Sequence, residues 1–218
     1  VRRVTGGSYK RALKPLLFRR HPDKVHADII KLGKLLPGIP GLRSAPKLWS
    51  YQHDALRQQA FGVMFRNPVG LAAGFDKNIE VAQLMRSVGF GFMTGGSVTA
   101  ERCDGNPHPW FHRLPRDKSL VVFAGLPNHG VAAIARTIEG YTRHIFSGMP
   151  LIVSVAKTNN KGAANDAGAI ADYCKSFVTL EQTPHIDMYE LNISCPNTYG
   201  GEPFTTSDRL SKLLHAID

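Results

Sequence analysis

The sequence predicts an α/β fold built from parallel strand–helix units. From residue 60 onward, short apolar runs alternate with segments whose apolar residues recur at helical spacing, which is typical of βαβ units. The predicted strands cover 60–65, 69–73, 90–96, 121–124, 151–156 and 187–192, and the predicted helices cover 78–88, 128–140, 164–178 and 207–217. The composition fits a globular protein, since 43% of the 218 residues are hydrophobic and 20% are charged.

Two amphipathic basic helices are predicted ahead of these units. The first covers 8–20, with leucines on one face and basic residues around it, and the second follows the break at His21-Pro22-Asp23. Its apolar residues recur at helical spacing until the turn at 37–41. Residues 42–59 are predicted to form a linker that leads into the first strand.

The net positive charge of the chain comes from its first 50 residues. Residues 1–50 hold 12 Lys and Arg against Asp23 and Asp28, whereas residues 51–218 hold 15 basic and 15 acidic residues. Short basic amphipathic helices favour an anionic membrane surface. Nucleic acid is disfavoured, because aromatic residues do not alternate with the basic ones. The alternative is that both helices dock on the main domain with solvated lysines. No apolar run reaches the length of a transmembrane helix.

The cysteines and histidines predict neither a disulfide framework nor a metal site. The chain has only three cysteines, Cys103, Cys174 and Cys195, which cannot all pair in disulfides. Their spacing matches no zinc site. His108, His112 and His129 likewise match no common metal spacing. A reducing compartment is the expectation.

The segment Asn192–Thr198 carries the strongest chemical signal. It places the thiol of Cys195 between two carboxamides, Asn192 and Asn197, where a short apolar strand opens into a loop. Carboxamides can read the C=O and N–H edges of a heterocycle, and a nearby thiol can take a proton from carbon. The alternative is an ordinary turn with a small core cysteine.

A second signal is the run of small residues from Asn67 to Asn78. Small residues let backbone N–H groups approach a flat ligand, and Lys77 supplies a positive charge at the end of the run. Asp76 and Asn78 are candidate caps for the helix that follows. The run does not fit the G-x-G-x-x-G dinucleotide pattern, and its alternative is a tight turn with a solvated lysine.

Together these two segments resemble dihydroorotate dehydrogenase, a flavin (FMN) enzyme of pyrimidine biosynthesis. The resemblance continues through 89–92, 96–99, 106–114 and 125–130 and covers most of residues 8–218. Segments 9–18 and 21–26 are similar to the membrane-bound, quinone-using class. The family fold is a (β/α)8 TIM barrel with its active site at the carboxyl ends of the strands. About four of the eight units are counted, so residues 42–218 are interpreted as the N-terminal half of an FMN-binding barrel. Residues 1–41 are interpreted as a membrane and quinone segment.

The resemblance also implies the site residues. Cys195 is the expected catalytic base, which takes a proton from C5 of the substrate while a hydride passes from C6 to the flavin. The expected FMN contacts are Ala73, Gly74, Phe75, Asp76, Lys77, Ser97, Ser154 and Asn192. The expected substrate contacts are Lys77, Gly125, Leu126, Asn192 and Asn197.

The implied function is FMN-dependent oxidation of dihydroorotate to orotate, with electrons passed to quinone. The implied location is peripheral on an inner membrane, either the bacterial cytoplasmic face or the mitochondrial membrane.

Three positions depart from the family: Cys195 replaces the serine of the membrane-bound class, Ser154 replaces an asparagine, and Val122 replaces an asparagine that reads the pyrimidine. Two alternatives stay open, a related flavin oxidoreductase with another substrate and a non-catalytic membrane-surface relative. The 218 residues alone are expected to be inactive.

Overall fold

The computed structural model describes residues 6–39, 50–201 and 204–218. A π-helical turn, Tyr9–Leu13, leads into the first helix. The helices are α1 Lys14–Phe18, α2 Pro22–Leu35, α3 Ala82–Val88, α4 Val131–Glu139, α5 Arg143–Phe146, α6 Asp166–Glu181 and α7 Ser207–Ile217. The strands are β1 Gln58–Ala60, β2 Val63–Phe65, β3 Gly70–Leu71, β4 Phe92–Val98, β5 Phe111–Leu114, β6 Ser119–Val122, β7 Leu151–Val155 and β8 Met188–Leu191.

The main sheet has four parallel strands in the order β3-β4-β7-β8. Helices α3, α4, α6 and α7 each follow one of these strands, so the chain contains four successive strand–helix units. Parallel strands joined by helices bury both faces of the sheet, and β4 and β7 are accordingly almost wholly buried. The predicted partial (β/α) barrel is therefore confirmed.

The core fills the space between the sheet and these helices. Ile134 and Ile138 of α4 are fully buried, as are Leu180 of α6 and Leu213 of α7. Full burial of one such side chain is worth about 1.5–3 kcal/mol. Local signals set the helix ends: the Asn165 side chain accepts from the Gly168 N–H at 2.8 Å and so caps the start of α6.

Two predicted strands differ in the structure. The strand predicted over 60–65 is a hairpin of β1 and β2, because Phe61 and Gly62 both have positive φ and reverse the chain in a two-residue turn. The strand predicted over 121–124 is the second half of another antiparallel hairpin, in which β5 pairs with β6 after a turn over 115–118. This hairpin forms its own two-stranded sheet and adds no unit to the parallel one.

Both predicted N-terminal helices are present. The second, α2, docks by one face, because Val25 and Gly33 are buried and a Cβ at Gly33 would lie 2.9 Å from Val81. Its other face and α1 expose large apolar side chains, including Leu16, Leu32 and Leu35 at 58%, 53% and 66%. Within the described ranges no helix is both long and apolar enough to cross a bilayer. The predicted linker over 42–59 lies partly outside the described residues.

Candidate active site

Three polar side chains meet at the carboxyl ends of adjacent strands. The hydroxyl oxygens of Ser97 on β4 and Ser154 on β7 lie 3.0 Å apart, and the Asn192 amide, just after β8, donates to Ser97 at 2.8 Å. Ser97 is 7% exposed and Ser154 is fully buried. The structure thus brings three predicted FMN contacts together as one strand-end cluster of Ser97, Ser154 and Asn192.

The backbone of residues 73–76 is pinned beside this cluster. The Gly74 N–H donates to the Gly96 carbonyl at 2.8 Å, and the Gly96 N–H donates to the Asp76 carbonyl at 3.0 Å. Gly74 has a φ of +99° and open space at its Cβ position, so a ligand can approach its backbone closely. The predicted backbone wall of Ala73, Gly74, Phe75 and Asp76 therefore adjoins Ser97.

The Asp76 side chain has a structural role. Its carboxylate accepts from the backbone N–H groups of Glu80 and Val81 at 2.9 and 2.8 Å, immediately before α3. Burial raises the pKa of Asp76, and these hydrogen bonds oppose that rise. Neither predicted cap is found, because the helix begins after Val81 without a side-chain cap: Asp76 binds the turn before it, and the Asn78 side chain accepts from the His129 N–H at 2.9 Å.

Lys77 faces a cavity of about 410 Å³ between α2 and the strand ends. Its ammonium lies 5.9 Å from the ring centroid of Trp110 and 5.6 Å from that of Phe111. Burial lowers the pKa of Lys77, against the opposing effect of the Asp23 and Asp76 carboxylates. A half-buried ammonium in a cavity is suited to an anionic ligand.

His26 joins α2 to this cavity. Its Nε2 lies 2.7 Å from the Phe75 carbonyl, and the two rings meet edge to face at 5.6 Å. Burial lowers the pKa of His26, as does the charge of Lys77. Sequence reasoning assigned His26 no site role, although it lies within a segment that carries the family resemblance.

Cys195 lines a separate, much smaller cavity. That cavity has a volume of about 10 Å³, room for about one water molecule, and is also lined by Leu126, Lys157 and Asn192. The structure therefore places Cys195 beside Asn192 but does not bring it into the cavity of Lys77. A ring-sized ligand does not fit into this cavity as it stands.

Lys157 is a site residue that the sequence analysis missed. It lies two residues after β7, is only 4% exposed, and its ammonium donates to the Tyr199 carbonyl on the Cys195 loop. Burial lowers the pKa of Lys157, and negative charge on Cys195 or Asp172 opposes that shift. The signal that could have found it is a lysine two residues after a buried strand, β7.

A network of three asparagines ties the Cys195 loop to the loop of Gly125 and Leu126. The Asn106 amide donates to the Asn197 carbonyl at 3.1 Å, and the Asn159 amide donates to the Asn106 side chain at 3.2 Å and to the Gly125 carbonyl at 3.1 Å. The Asn197 amide donates to the Val122 carbonyl at 3.2 Å. The predicted substrate contacts on these two loops are therefore neighbours, although the side chain of Asn197 is engaged with backbone.

Val122 gives this region an apolar position. Its side chain has no hydrogen-bonding group, and the residue is 43% exposed at the end of β6. Among the described residues no three His, Cys, Asp or Glu side chains form a group able to hold a metal ion.

Fold and site together define a class. Parallel strands that carry polar side chains at their carboxyl ends, each followed by a helix, are the construction of a (β/α)-barrel enzyme, of which four units are present here.

Comparison with known proteins gives the particular family. The family model for dihydroorotate dehydrogenase matches residues 55–217. Dihydroorotate dehydrogenase (quinone) of Corynebacterium glutamicum is 33% identical over 218 residues, covering 100% of this chain and 56% of that relative. The same protein of Nocardia farcinica is 38% identical over 203 residues, covering 93% of this chain and 53% of the relative. The chain belongs to the dihydroorotate dehydrogenase family.

Solved structures agree with this assignment. The crystal structure of Eimeria tenella DHODH in complex with ferulenol matches with a TM-score of 0.75 and 25% identity, covering 90% of this chain and 50% of that one. The ligand-free form of the same enzyme matches with a TM-score of 0.71. The chain spans about half the length of the curated relatives it matches.

Proposed function

We propose that this chain supplies the first half of the active site of an FMN-dependent dihydroorotate dehydrogenase that passes electrons to quinone. The observation that carries the proposal is the contact of Asn192 with Ser97 at 2.8 Å, at the carboxyl ends of parallel strands. Cys195 follows three residues later on the same loop. This arrangement supports the predicted base and ring contacts.

The residues present fit the ring of FMN. Its polar edge needs hydrogen-bond donors and acceptors, which Ser97, Ser154 and Asn192 offer together. The backbone around Gly74 is open to a flat ligand. When bound, FMN would supply the hydride acceptor. Proton removal and the positioning of the substrate are the tasks of side chains of this chain.

Cys195 is the proposed base that removes the proton from the substrate carbon. Lys157 and Cys195 line the same small cavity, and a neighbouring cation favours the reactive thiolate. Asn192 and Asn197 are the proposed contacts of the substrate ring. Lys77 is the proposed partner of the substrate carboxylate, although its ammonium here faces the separate cavity beside α2. The cavity at Cys195 is only about 10 Å³, and we propose that the 192–201 loop opens to admit the substrate.

The proposed quinone route follows the cavity that Lys77 lines. Its outer wall is formed by side chains of α2, which include the apolar Ile30 and the charged Lys31 and Lys34, and Phe75 forms part of its inner wall. An apolar acceptor that enters between the N-terminal helices would arrive next to the proposed FMN wall. The exposed apolar side chains and the basic charge of residues 1–41 support a peripheral position on an anionic inner membrane.

A second candidate rests on Val122. If the substrate places a polar edge against this valine, the unpaired group costs about 1–3 kcal/mol. A related flavin oxidoreductase with a substrate that is apolar at this position is therefore the alternative.

Single-turnover reduction tests the proposal on the whole protein that contains this chain. Mixing the oxidised flavoprotein with dihydroorotate should bleach the flavin absorbance, and a quinone should restore it. No bleaching by dihydroorotate, with bleaching by another reduced ring compound, would favour the second candidate. A purified protein without any flavin spectrum would contradict both.

A further inference from the structure

A large cavity lies at the opposite end of the sheet from the strand-end cluster. Its volume is about 740 Å³, and its lining includes Arg66, just before β3, and Gly148, just before β7. Positions before parallel strands lie at their amino ends, so this cavity is separate from the proposed active site. Arg57 and Arg86 also line it, together with His53 and Asp54. We call it the arginine cavity.

Two of its arginines are held in place by backbone carbonyls. The Arg66 guanidinium donates from Nε to the Gly148 carbonyl and from Nη2 to the Ser147 carbonyl at 3.2 Å. The Arg86 guanidinium donates from Nη1 to the His144 carbonyl. Both anchors lie on one short segment around the end of α5, which fixes the two guanidinium groups relative to each other. Each keeps N–H groups beyond those used in these contacts, since a guanidinium has five.

The charge of these two arginines is not balanced locally. Carbonyl oxygens accept hydrogen bonds without neutralising a cation, and the described part of the chain places no carboxylate in ion-pair contact with Arg66 or Arg86. The single carboxylate in the lining, Asp54, pairs with Arg57 at 3.3 Å. Burial lowers the pKa of Arg66, and the nearby charge of Arg86 lowers it further. Three arginines and one aspartate leave the lining with a net charge of +2 if His53 is neutral.

From this arrangement we infer that the arginine cavity binds a small phosphorylated molecule. Fixed guanidinium groups suit phosphate, because their forked N–H donors match its oxygens in pairs. A phosphate dianion would balance the net charge of the lining. The cavity is much larger than one phosphate group and lies within the size range of small-molecule sites, so the ligand has room for an attached sugar or nucleoside.

Binding of ribose 5-phosphate, inorganic phosphate and ribose to the flavin-loaded whole protein that contains this chain tests the inference. Titration calorimetry at constant ionic strength in chloride should show saturable 1:1 binding of ribose 5-phosphate. Inorganic phosphate should bind more weakly, and ribose should not bind. No heat from ribose 5-phosphate at millimolar concentration, or equal binding of ribose, overturns the proposal.

Variants locate the site. Arg66→Lys keeps the charge but loses the fork, and should weaken binding roughly tenfold, as expected for a lost charge-assisted hydrogen bond. Arg57→Gln leaves the carbonyl anchors intact and should weaken binding about threefold, because a rim charge is worth less. If Arg66→Lys fails to fold, as judged by circular dichroism, the affinity of Arg57→Gln still tests whether the arginine cavity is the site.

Two controls keep this site distinct from others. Arg116→Gln makes the same charge change as Arg57→Gln on the exposed turn between β5 and β6, and should leave binding unchanged. Lys77→Gln removes the cation of the proposed active site and should also leave it unchanged. Loss of binding in Lys77→Gln, or equal losses in Arg57→Gln and Arg116→Gln, overturns the arginine cavity as the site.

Discussion

At the scale of single residues, Cys195 differs from Cys174 in its surroundings. Cys195 lines a cavity with Lys157 and Asn192, whereas the Cys174 thiol on α6 donates to the Ala216 carbonyl on α7. In the whole protein, we expect Cys195→Ala to abolish flavin reduction while bound flavin is retained, because the thiol acts on substrate carbon. Single-turnover absorbance measures the rate. Cys174→Ala is the matched control and should react normally.

The serine variant sharpens that prediction. Cys195→Ser should keep partial activity with its rate optimum at higher pH, because a hydroxyl is harder to deprotonate than a thiol, whose reference pKa is about 8.5. An ordinary turn cysteine would instead give near-normal rates in both variants. Unchanged reduction in Cys195→Ala would remove Cys195 from the mechanism.

Lys157 gives a second prediction at this scale. Lys157→Met removes the cation next to Cys195, so the pH profile of flavin reduction should move to higher pH, with a slow rate at neutral pH that recovers in base. Lys161→Met, on the exposed loop that follows, is the control. A uniform loss of rate at every pH would mean that Lys157 only supports the fold.

Val122 offers a test of substrate choice. If the substrate is dihydroorotate, Val122→Asn restores the missing amide and should lower KM by about fivefold or more, corresponding to at least 1 kcal/mol. Steady-state kinetics with dihydroorotate measures this, and Val121→Asn, one residue earlier on β6, is the control. A higher KM in Val122→Asn would favour the second candidate function.

At the scale of elements, one carboxylate docks the N-terminal helices. Asp23 at the start of α2 accepts from the backbone N–H groups of Trp110 and Phe111 at 3.0 and 3.1 Å and lies 2.8 Å from His108 Nδ1. Burial acts to raise the pKa of Asp23, but these hydrogen bonds outweigh it and the pKa is lowered. The docking it provides is therefore complete above the unfolded-state pKa of aspartate and is lost as pH falls through the lowered value.

Amide exchange tests this docking. In Asp23→Ala, we expect the Trp110 and Phe111 amides to exchange at least tenfold faster, because each loses a hydrogen bond to a charged acceptor worth about 1.5–3 kcal/mol. In the wild-type protein, the protection of these two amides against exchange should fall as the pH is lowered. Asp117→Ala in the β5–β6 turn is the control. Equal protection of both amides in Asp23→Ala would show that other contacts hold α2.

The same scale shows what sequence could and could not predict. The bounds of α7 were predictable as 207–217, because its apolar periodicity runs its full length. Helix α3 begins at Ala82 rather than at 78, because the Asp76 carboxylate binds the N–H groups of Glu80 and Val81 in a turn that precedes it. Both hairpins were missed, since positive φ at Phe61 and the turn before β6 leave no trace in hydrophobic periodicity.

The candidate site likewise contains residues that the sequence predicts and contacts that it does not. Ser97, Ser154 and Asn192 were predictable, because strand ends and family resemblance point to them. The contacts of Lys157 and Asn159 with the Cys195 loop span 42 and 40 residues, respectively, and only the folded chain brings them together.

At the scale of the whole molecule, residues 1–41 are expected to drive membrane association. The segment combines exposed apolar side chains with most of the basic excess, and each basic residue near an anionic surface is worth about 1 kcal/mol. Deleting 1–41 should lower co-sedimentation with phosphatidylserine vesicles and leave flavin content of the whole protein intact. Binding by the intact protein should weaken as salt rises. Equal sedimentation with and without the segment would contradict the role.

The four-unit sheet leads to the last prediction, which concerns the 218-residue chain by itself. A closed barrel has eight strands, and here β3 and β8 form the two sides of a four-stranded sheet. The ring contacts therefore come from one side only, and the cavity at Cys195 is about 10 Å³. We expect no stoichiometric yellow complex after incubation with FMN and gel filtration, whereas the whole protein should retain one. Circular dichroism of the same sample checks that the chain is folded. A folded chain that keeps one FMN per molecule would contradict the prediction.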